Sequence, residues 1–196
     1  TIMEGCSNKC TYCIVPYTRG EEESRRVQDI LDECVNHISN GVKEIHLLGQ
    51  NVNSYHGLNE DGSICNFSSL LYEVAAIPCV ERIRFTTSNP MDFTDDIIEA
   101  VKNLDVISDQ IHVPIQAGSD RILEAMHRRY TAKKYIELTQ KLRAARPTVH
   151  ISSDFIVGFP GETAEDFEET MRVVNEVKCD QSFSFVYSKR PGTPAA

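Results

Sequence analysis

The stretch VHISSDFIVGFPGETAEDFEETMRVV, residues 149–174, runs through a strand, a loop and the start of a helix. Residues 149–156 are rich in apolar and β-branched types, which favours a strand. The segment 158–161, which contains Gly and Pro, then marks a turn. Thr163, with Asp166 three positions later, forms a capping box, a specific signal for the start of a helix. These residues therefore predict one β–α unit.

The same order of strand and helix recurs along the chain. Strands are expected at Thr1–Glu4, Lys43–Leu48, Glu81–Thr86, Gln110–Ile115, Val149–Ile156 and Asp180–Tyr187. The segments between them carry apolar residues at helical spacing. The first of these helices is expected to begin after Ser24, as its N-cap, and to end at Gly41. The chain is thus predicted to alternate six strands with helices.

This alternation indicates parallel β–α units in which helices cover a sheet. A complete eight-unit barrel takes about 250 residues, and right-handed crossovers curl a parallel sheet. Six units in 196 residues therefore predict a partial (β/α)6 TIM-like barrel with parallel strands. A flat doubly wound sheet is the alternative, with less support because no G-x-G-x-x-G motif follows the first strand. In both architectures, functional side chains lie in the loops after the carboxyl ends of the strands.

The loop after the first predicted strand contains three cysteines, Cys6, Cys10 and Cys13, at C-x3-C-x2-C spacing. One short loop can therefore direct three thiols at one centre. Thiolate is the soft ligand of iron–sulfur clusters and of zinc. A 4Fe–4S cluster takes one thiolate per iron, so three thiols leave one iron open to a substrate or cofactor. An open position is typical of a catalytic metal site, and a closed set of four ligands is typical of a structural one.

A structural zinc site and a disulfide are the alternatives to a cluster. Zinc needs a fourth ligand, and no Cys or His lies within the twenty residues after Cys13. The odd count of seven Cys and the lack of a signal-peptide-like segment argue against disulfides and indicate a reducing compartment. We therefore expect a cytoplasmic protein, and no apolar run approaches the length of a membrane span.

The formal net charge of −9 argues against a surface that binds nucleic acid over its whole extent. Contact with RNA would need a local basic cluster or another domain. Candidate clusters are Arg25–Arg26, His127–Arg129, Lys133–Lys134 and Lys189–Arg190. Solvated helix faces are the simpler interpretation of most of them.

The predicted loops carry motifs that occur together in one family. They are GCSNKCTYCIVPYTRG (5–20), LLGQNVN (47–53), VPIQAGS (113–119), SDFIVGFPGET (153–163) and RPGTPA (190–195). With Tyr12 as its aromatic residue, the cysteine motif resembles that of the radical S-adenosylmethionine (SAM) enzymes. Along essentially the whole chain, the motifs resemble the methylthiotransferases among those enzymes. Residues 49–51 and 190–193 favour the branch that modifies tRNA. Asn89, where His is usual, and Ala117, where Ser is common, depart from the pattern.

The resemblance implies that Cys6, Cys10 and Cys13 bind a 4Fe–4S cluster whose open iron chelates SAM. An electron from the cluster would then break the sulfonium bond and yield a 5′-deoxyadenosyl radical. Tyr12 would pack near the SAM adenine; a core aromatic residue is the alternative. Gly49 would let the chain pass close to the SAM amino group.

Further candidate contacts to SAM are Gln50, Gln116, Arg128, Asp154, Ile156 and Gly158. Gln116, Arg128 and Asp154 follow the order of a SAM-binding trio in other radical SAM enzymes. Arg128 would pair with the SAM carboxylate, since guanidinium suits such a bond, and Asp154 would accept from ribose hydroxyls. Gln50 would line the same wall as Gly49, and Ile156 and Gly158 would frame the adenine by backbone contact. The alternatives are an exposed helix-end cation for Arg128 and a turn-facing carboxylate for Asp154.

The reaction implied by the resemblance is methylthiolation at position 2 of N6-isopentenyladenosine next to the tRNA anticodon. Other substrates within the family are threonylcarbamoyladenosine in tRNA and a ribosomal-protein aspartate. A zinc-stapled RNA-binding module is the non-enzymatic alternative. The expected partners are the anticodon stem-loop of tRNA and an electron donor such as flavodoxin or ferredoxin. We expect a monomer and no membrane partner.

The same family predicts how residues 1–196 fit into a longer protein, as its radical SAM core domain. An N-terminal domain with a second cysteine triad, for a second 4Fe–4S cluster, and a C-terminal RNA-binding TRAM domain are expected outside this core. The remaining cysteines are too scattered to replace that triad. They are Cys34, Cys65, Cys79 and Cys179.

Overall fold

Strands and helices alternate in the computed structural model, which describes residues 1–196. The strands are β1 (Met3–Glu4), β2 (Glu23–Ser24), β3 (Glu44–Leu48), β4 (His56–Leu58), β5 (Ile64–Asn66), β6 (Arg82–Thr86), β7 (Gln110–His112), β8 (His150–Val157) and β9 (Gln181–Val186). The helices are α1 (Val15–Arg19), α2 (Val27–Ser39), α3 (Phe67–Ala75), α4 (Asp95–Asn103), α5 (Asp120–Ala125), α6 (Ala132–Ala145) and α7 (Ala164–Val177). None of these helices is both long enough and apolar enough to span a bilayer.

Six strands, β1, β3, β6, β7, β8 and β9, follow one another around a curved layer in chain order. Parallel pairing joins β3 to β6, β7 to β8 and β8 to β9. A parallel bridge from Ile83 to Ile107 joins β6 to the segment before β7. At the other end, Ile2 N donates to Leu48 O at 2.9 Å and joins β1 to β3. No pairing closes β9 onto β1, so the barrel is open.

The predicted partial (β/α)6 TIM-like barrel is therefore confirmed. In a doubly wound sheet the strand order reverses at a switch point. Here the order runs in one direction from β1 to β9. The flat alternative is wrong for this chain.

Strands β3, β6 and β8 alternate buried residues with more open ones, whereas every residue of β9 is exposed. In β3, for example, Ile45 and Leu47 are buried, whereas Glu44, His46 and Leu48 are exposed. The buried residues join a hydrophobic cluster of 40 residues that includes side chains from helices α2 to α7. Burial of this apolar area is the main stabilising contribution to the fold.

The concave face of the open barrel is lined mainly by polar side chains. It encloses a cavity of about 820 Å³ whose walls include Arg84, Gln110, His112, Ser152 and Asp154. Successive residues of a strand point to opposite faces, so these polar residues alternate with the apolar residues under the helices. The open side gives solvent access to this polar face.

The predicted capping box at the start of α7 is confirmed. Thr163 is the N-cap and its Oγ1 accepts from Asp166 N at 3.3 Å, while Thr163 N donates to Asp166 Oδ2 at 2.8 Å. The predicted end of α2 is also confirmed, since Gly41 has φ +88° and its N donates to Ile38 O at 2.9 Å.

The predicted N-cap of α2 is wrong. Ser24 lies in β2, which pairs antiparallel with β1, and Arg26 is the N-cap without a side-chain bond. Ser24 Oγ accepts instead from His56 N, the first residue of β4, at 3.1 Å. The local signal at Ser24 was overridden because β1 needs a partner strand. The hairpin of β4 and β5 was also missed, since both strands have only three residues.

Candidate metal-cluster site

The three predicted cysteine ligands lie on the loop between β1 and α1. Cys6 and Cys10 are buried and Cys13 is partly exposed. A backbone bond from Cys13 N to Cys10 O, 3.1 Å long, closes the second half of the loop. Burial raises the pKa of the Cys6 thiol, and the neighbouring Cys10 and Cys13 raise it further. Burial also raises the pKa of Cys13, so metal binding has to displace protons.

Gly5 shapes the first half of this loop. It has φ +69°, and a Cβ at this position would overlap the carbonyl oxygen of Glu21. The next residue, Cys6, donates from its backbone N to Gly20 O at 3.1 Å. Only glycine fits both the backbone conformation and the close approach of the segment at residues 20–21.

The middle of the loop is anchored to the carboxyl end of α5. Thr11 N donates to Met126 O at 3.1 Å, and Thr11 Oγ1 donates to Ala125 O at 2.8 Å. His127 Nδ1 lies 2.9 Å from Lys9 O. These contacts join residues more than one hundred positions apart, so the loop is held by the tertiary fold.

Arg128 follows this anchor and lies half-buried behind Cys10. Its Nη1 donates to Cys10 Sγ at 3.5 Å, its Nε to Tyr130 Oη at 2.8 Å and its Nη2 to Pro114 O at 3.3 Å. The guanidinium also lies 5.1 Å from the centre of the Tyr130 ring, within the range of a cation–π contact. The alternative of an exposed helix-end cation is therefore wrong.

A cavity of about 490 Å³ adjoins the cysteine loop. Five of the predicted site residues line it, namely Tyr12, Cys13, Gln116, Asp154 and Ile156. Burial raises the pKa of the Tyr12 phenol far above its usual range, so this hydroxyl stays protonated. The structure thus brings four of the eight predicted cofactor contacts to one place, next to the Cys13 thiol.

Backbone pairing between the ends of β7 and β8 places Gln116 beside Asp154. Gln116 N donates to Asp154 O at 2.9 Å, and Ile156 N donates to Gln116 O at 2.8 Å. Gln116 has φ +79°, which is uncommon for a residue other than glycine. The Asp154 carboxylate is not turn-facing, because its Oδ2 lies 3.5 Å from His112 Nε2 on the concave face. His112 Nδ1 in turn lies 2.9 Å from Ser152 Oγ.

Gly49 and Gln50 line a different cavity, of about 350 Å³, together with Met3 and Thr87. A Cβ at Gly49 would lie 2.5 Å from Met3 Cγ. The small size of Gly49 is therefore already required by packing within the chain. Gly158 lies apart from both cavities on an exposed turn, with φ +70°.

The sequence-based list of site residues omitted two aromatic residues and one cation that line the cavity beside Cys13. They are Phe185, Tyr187 and Arg190. The rule that loops after strands carry function covers Arg190, which follows the predicted strand Asp180–Tyr187, whereas Phe185 and Tyr187 lie inside that predicted strand. The chain then returns to the cysteine loop, where Ala195 N donates to Thr11 O at 2.9 Å.

The donor set fits a 4Fe–4S cluster better than a single ion. A structural zinc site takes four ligands, whereas this loop offers three free thiols. A cluster takes one thiolate per iron, so three thiols hold it and leave one iron open. Cys13 lines the cavity, so a cluster on this loop would border it.

An open (β/α)6 barrel with three thiols after its first strand defines a class of iron–sulfur enzyme core. The sequence profile of the Radical SAM superfamily matches residues 1–174, and the chain belongs to this superfamily. Membership implies a 4Fe–4S cluster and SAM as cofactors. The confirmed family also agrees with the resemblance drawn from the motifs.

Solved structures show the same fold. The cobalamin-dependent SAM radical enzyme OxsB, with aqua-cobalamin bound, superposes with a TM-score of 0.68 at 13% identity, over 88% of this chain and 25% of that one. Streptococcus suis SuiB bound to SAM superposes with a TM-score of 0.64 at 14% identity, over 97% of this chain and 40% of that one. Escherichia coli coproporphyrinogen III oxidase superposes with a TM-score of 0.59 at 18% identity, over 84% of this chain and 37% of that one.

Curated relatives are much closer in sequence. The tRNA-2-methylthio-N(6)-dimethylallyladenosine synthases of Mannheimia succiniciproducens and Haemophilus influenzae are 58% identical over all 196 residues. That of Actinobacillus pleuropneumoniae is 57% identical over the same span. In each case the chain spans 41% of the length of the relative.

Proposed function

We propose that this chain is the radical SAM core of a tRNA methylthiotransferase. The reaction is addition of a methylthio group to position 2 of N6-isopentenyladenosine next to the anticodon. The observation that carries the proposal is the three-cysteine loop, bordering a cavity that also contains Gln116 and Asp154. The 58% identity to synthases of this name, over the whole chain, supports the substrate.

In this proposal Cys6, Cys10 and Cys13 hold the cluster. When bound, the cluster and SAM supply one-electron reductive cleavage of a carbon–sulfur bond. Shielding from water protects the reactive species of this chemistry from side reactions, and the cavity walls supply part of that shield. Tyr12 and Ile156 are among the apolar residues of that wall, which Cys13 also lines.

Asp154 is proposed to accept hydrogen bonds from the ribose hydroxyls of SAM. His112 Nε2 lies 3.5 Å from Oδ2 of its carboxylate, and Asp154 lines the cavity beside Cys13. Gln116, adjacent through the backbone, lines the same wall. Ile156 offers its backbone to the adenine. Gly158, on its exposed turn, is proposed to reach the adenine only if that turn closes over it.

Arg128 is proposed to pair with the SAM carboxylate. Its guanidinium has five N–H groups, and three of them bond Tyr130, Cys10 and Pro114. One N–H therefore remains on each Nη, the pair that can bind a carboxylate in bidentate fashion. Gly49 and Gln50, in the neighbouring cavity, are proposed to approach the SAM amino group.

The proposal extends to the rest of the protein. We infer a second 4Fe–4S cluster in an N-terminal domain and a TRAM domain that binds the tRNA anticodon stem-loop, both outside residues 1–196. A flavodoxin or ferredoxin is the proposed electron donor. The protein is proposed to be a cytoplasmic monomer.

The cofactor half of the proposal is tested by anaerobic reconstitution of the chain with iron and sulfide, then reduction in the presence of SAM. We expect a brown protein that forms 5′-deoxyadenosine. Replacing Cys6, Cys10 or Cys13 by Ala is expected to abolish both, whereas Cys79→Ala is expected to change neither, because Cys79 is exposed and lies outside the site. A colourless protein with bound zinc, or a full cluster without 5′-deoxyadenosine, would contradict the proposal.

The substrate half is tested in a chimera. Residues 1–196 replace the matching region of the Haemophilus influenzae synthase, with the native synthase as control. Anticodon stem-loops with isopentenyladenosine, stem-loops with threonylcarbamoyladenosine and the ribosomal-protein substrate are compared. We expect methylthiolation only of the stem-loops with isopentenyladenosine. Preference for threonylcarbamoyladenosine or for the ribosomal-protein substrate would assign the chain to another branch of the methylthiotransferases.

A further inference from the structure

Arg128 makes a contact that the pairing with SAM does not require. Its Nη1 donates to the sulfur of Cys10 at 3.5 Å, which is a bond to a proposed cluster ligand rather than to the cofactor. The guanidinium is half-buried, so water competes little for this bond. A positive charge and an N–H donor thus lie directly against one cluster sulfur.

The position of this charge is set by two further bonds. Nε donates to Tyr130 Oη at 2.8 Å, and Nη2 donates to Pro114 O at 3.3 Å. Tyr130 is itself buried, and its hydroxyl donates to Ile115 O at 2.7 Å. The side chain is therefore fixed from the rim of β7. An ammonium group has no planar fork and cannot reproduce three such bonds in fixed directions.

Hydrogen bonds to the sulfurs and net charge are among the factors that set the reduction potential of an iron–sulfur cluster. Reduction adds negative charge, so a nearby donor and cation stabilise the reduced form more than the oxidised form. Outer groups of this kind also orient the ligands that they contact. A contact of this kind at Cys10 would act on electron uptake by a bound cluster whether or not SAM is present.

We propose that Arg128 is a positioning residue that orients the Cys10 thiolate and raises the reduction potential of the cluster. The inference rests on the proposed function, because it requires the cluster. It goes beyond that function because it concerns the protein without SAM. One side chain, that of Arg128, would therefore serve both cluster reduction and binding of the SAM carboxylate.

The neighbouring residue offers a matched control. Arg129 carries the same charge one position later and also contacts the cysteine loop, through a bond from its Nη2 to Asn8 Oδ1 at 3.3 Å. It is exposed and makes no bond to a cysteine sulfur. Loss of Arg129 therefore removes an equal charge and a loop contact, but leaves the sulfur bond intact.

The test is a redox titration of the reconstituted chain without SAM, followed by electron paramagnetic resonance of the reduced cluster. Arg128→Gln is expected to shift the midpoint potential to more negative values and Arg128→Lys to shift it less. Arg129→Gln is expected to leave it unchanged. Iron and sulfide content and circular dichroism establish that each variant is folded and loaded.

Several outcomes would overturn the inference. One is an Arg128→Gln variant that binds the full cluster but has the wild-type midpoint potential. Arg128 would then act only in SAM binding, and the loss of SAM affinity in that variant would measure this contribution. If Arg128→Gln does not fold, Arg128→Lys decides, and a wild-type potential there counts against the proposal. A wild-type chain that binds no cluster overturns both the inference and the proposed function.

Discussion

At the scale of single residues, glycine at position 5 decides whether the cysteine loop can close. The loop must turn sharply after β1 and pass within contact distance of residues 20–21. Gly5 permits both because it has no Cβ and adopts φ +69° without strain. The ligand geometry of Cys6 therefore depends on a residue that carries no chemistry itself.

Gly5→Ala is expected to abolish iron binding and to lower the stability of the chain, because the added Cβ overlaps the carbonyl oxygen of Glu21. Gly20→Ala is the control: Gly20 also has positive φ, +81°, but a Cβ there meets no atom within 4 Å. With ψ −170° at Gly20, Ala at this position should cost only backbone strain of about 1–3 kcal/mol. Iron content after reconstitution and thermal unfolding measure the two effects. Equal iron loss in both variants would show that crowding is not the cause.

Asp154→Asn is expected to weaken SAM binding by about 10- to 100-fold. A hydrogen bond to a charged group contributes about 1.5–3 kcal/mol, and each 1.4 kcal/mol corresponds to about tenfold in Kd. Asp180→Asn is the control, since Asp180 also lies against a histidine, His150 at 3.3 Å, but does not line the cavity beside Cys13. Calorimetric titration of SAM into the reconstituted chain measures both. Unchanged affinity in Asp154→Asn would remove its proposed role.

At the scale of elements, the start of α7 connects to the loop after β7. Asp166, in the first turn of α7, accepts from Ser119 Oγ at 2.6 Å and contacts Arg121. The Arg121 guanidinium, together with Ser119 and the Thr163 backbone, holds the pKa of Asp166 well below its usual range. Because the pKa of Asp166 is lower in the folded state, its ionised carboxylate stabilises the fold at pH values above the pKa of Asp in the unfolded chain, about 3.9. This stabilisation is lost as the pH falls towards the lower pKa of the folded state. The capped helix thus fixes the loop that carries Gln116.

Thr163→Ala is expected to destabilise the chain by about 1 kcal/mol, the usual cost of losing an N-cap side chain. For a chain of this size, the melting temperature should fall by about 2–4 °C. Thr94→Ala is the matched control, because Thr94 is the N-cap of α4 without a side-chain bond, and it should change the melting temperature less. Thermal unfolding of the two variants measures the difference. Equal losses would show that the capping bond at Thr163 contributes nothing specific.

At the scale of the whole molecule, the polar face of the barrel is open and the net charge is −9. Affinity for nucleic acid comes mainly from Lys and Arg at the phosphates. Not all of the predicted basic clusters are available to bind phosphate groups. Arg25, for example, pairs with Glu33 at 2.6 Å, and Arg128 is half-buried against Cys10.

We therefore expect this chain alone to bind an anticodon stem-loop more weakly than ordinary non-specific binders, whose Kd is about 10⁻⁴–10⁻⁶ M at physiological salt. Fluorescence anisotropy with labelled RNA at increasing salt measures this, and the Haemophilus influenzae synthase serves as the positive control. Salt-dependent binding by the chain within that range would reveal a local basic surface and place part of the RNA contact in the barrel.

Local patterns in the chain were enough to predict the strand order, the three thiols and the capping box at Thr163. Each depends on residues close together in sequence, where spacing alone determines which side chains share a loop or a helix turn. The family resemblance added Gln116, Asp154 and Tyr12 as site residues, and the structure gathers these around one cavity. The N-cap at Ser24 failed because pairing with β1 overrode a local preference.

The surroundings of those residues depend on contacts between distant parts of the chain and could not be predicted from local patterns. The contact of Arg128 with Cys10 joins positions separated by 118 residues, and the overlap at Gly5 arises from a segment that returns beside it. His112 reaches Asp154 only because β7 and β8 pair in one register. Such contacts have no local signature, since they depend on how the crossovers curl the sheet. The order of residues along the chain was thus sufficient to predict which chemistry the chain carries, whereas the curling of the sheet into an open barrel determined which groups meet.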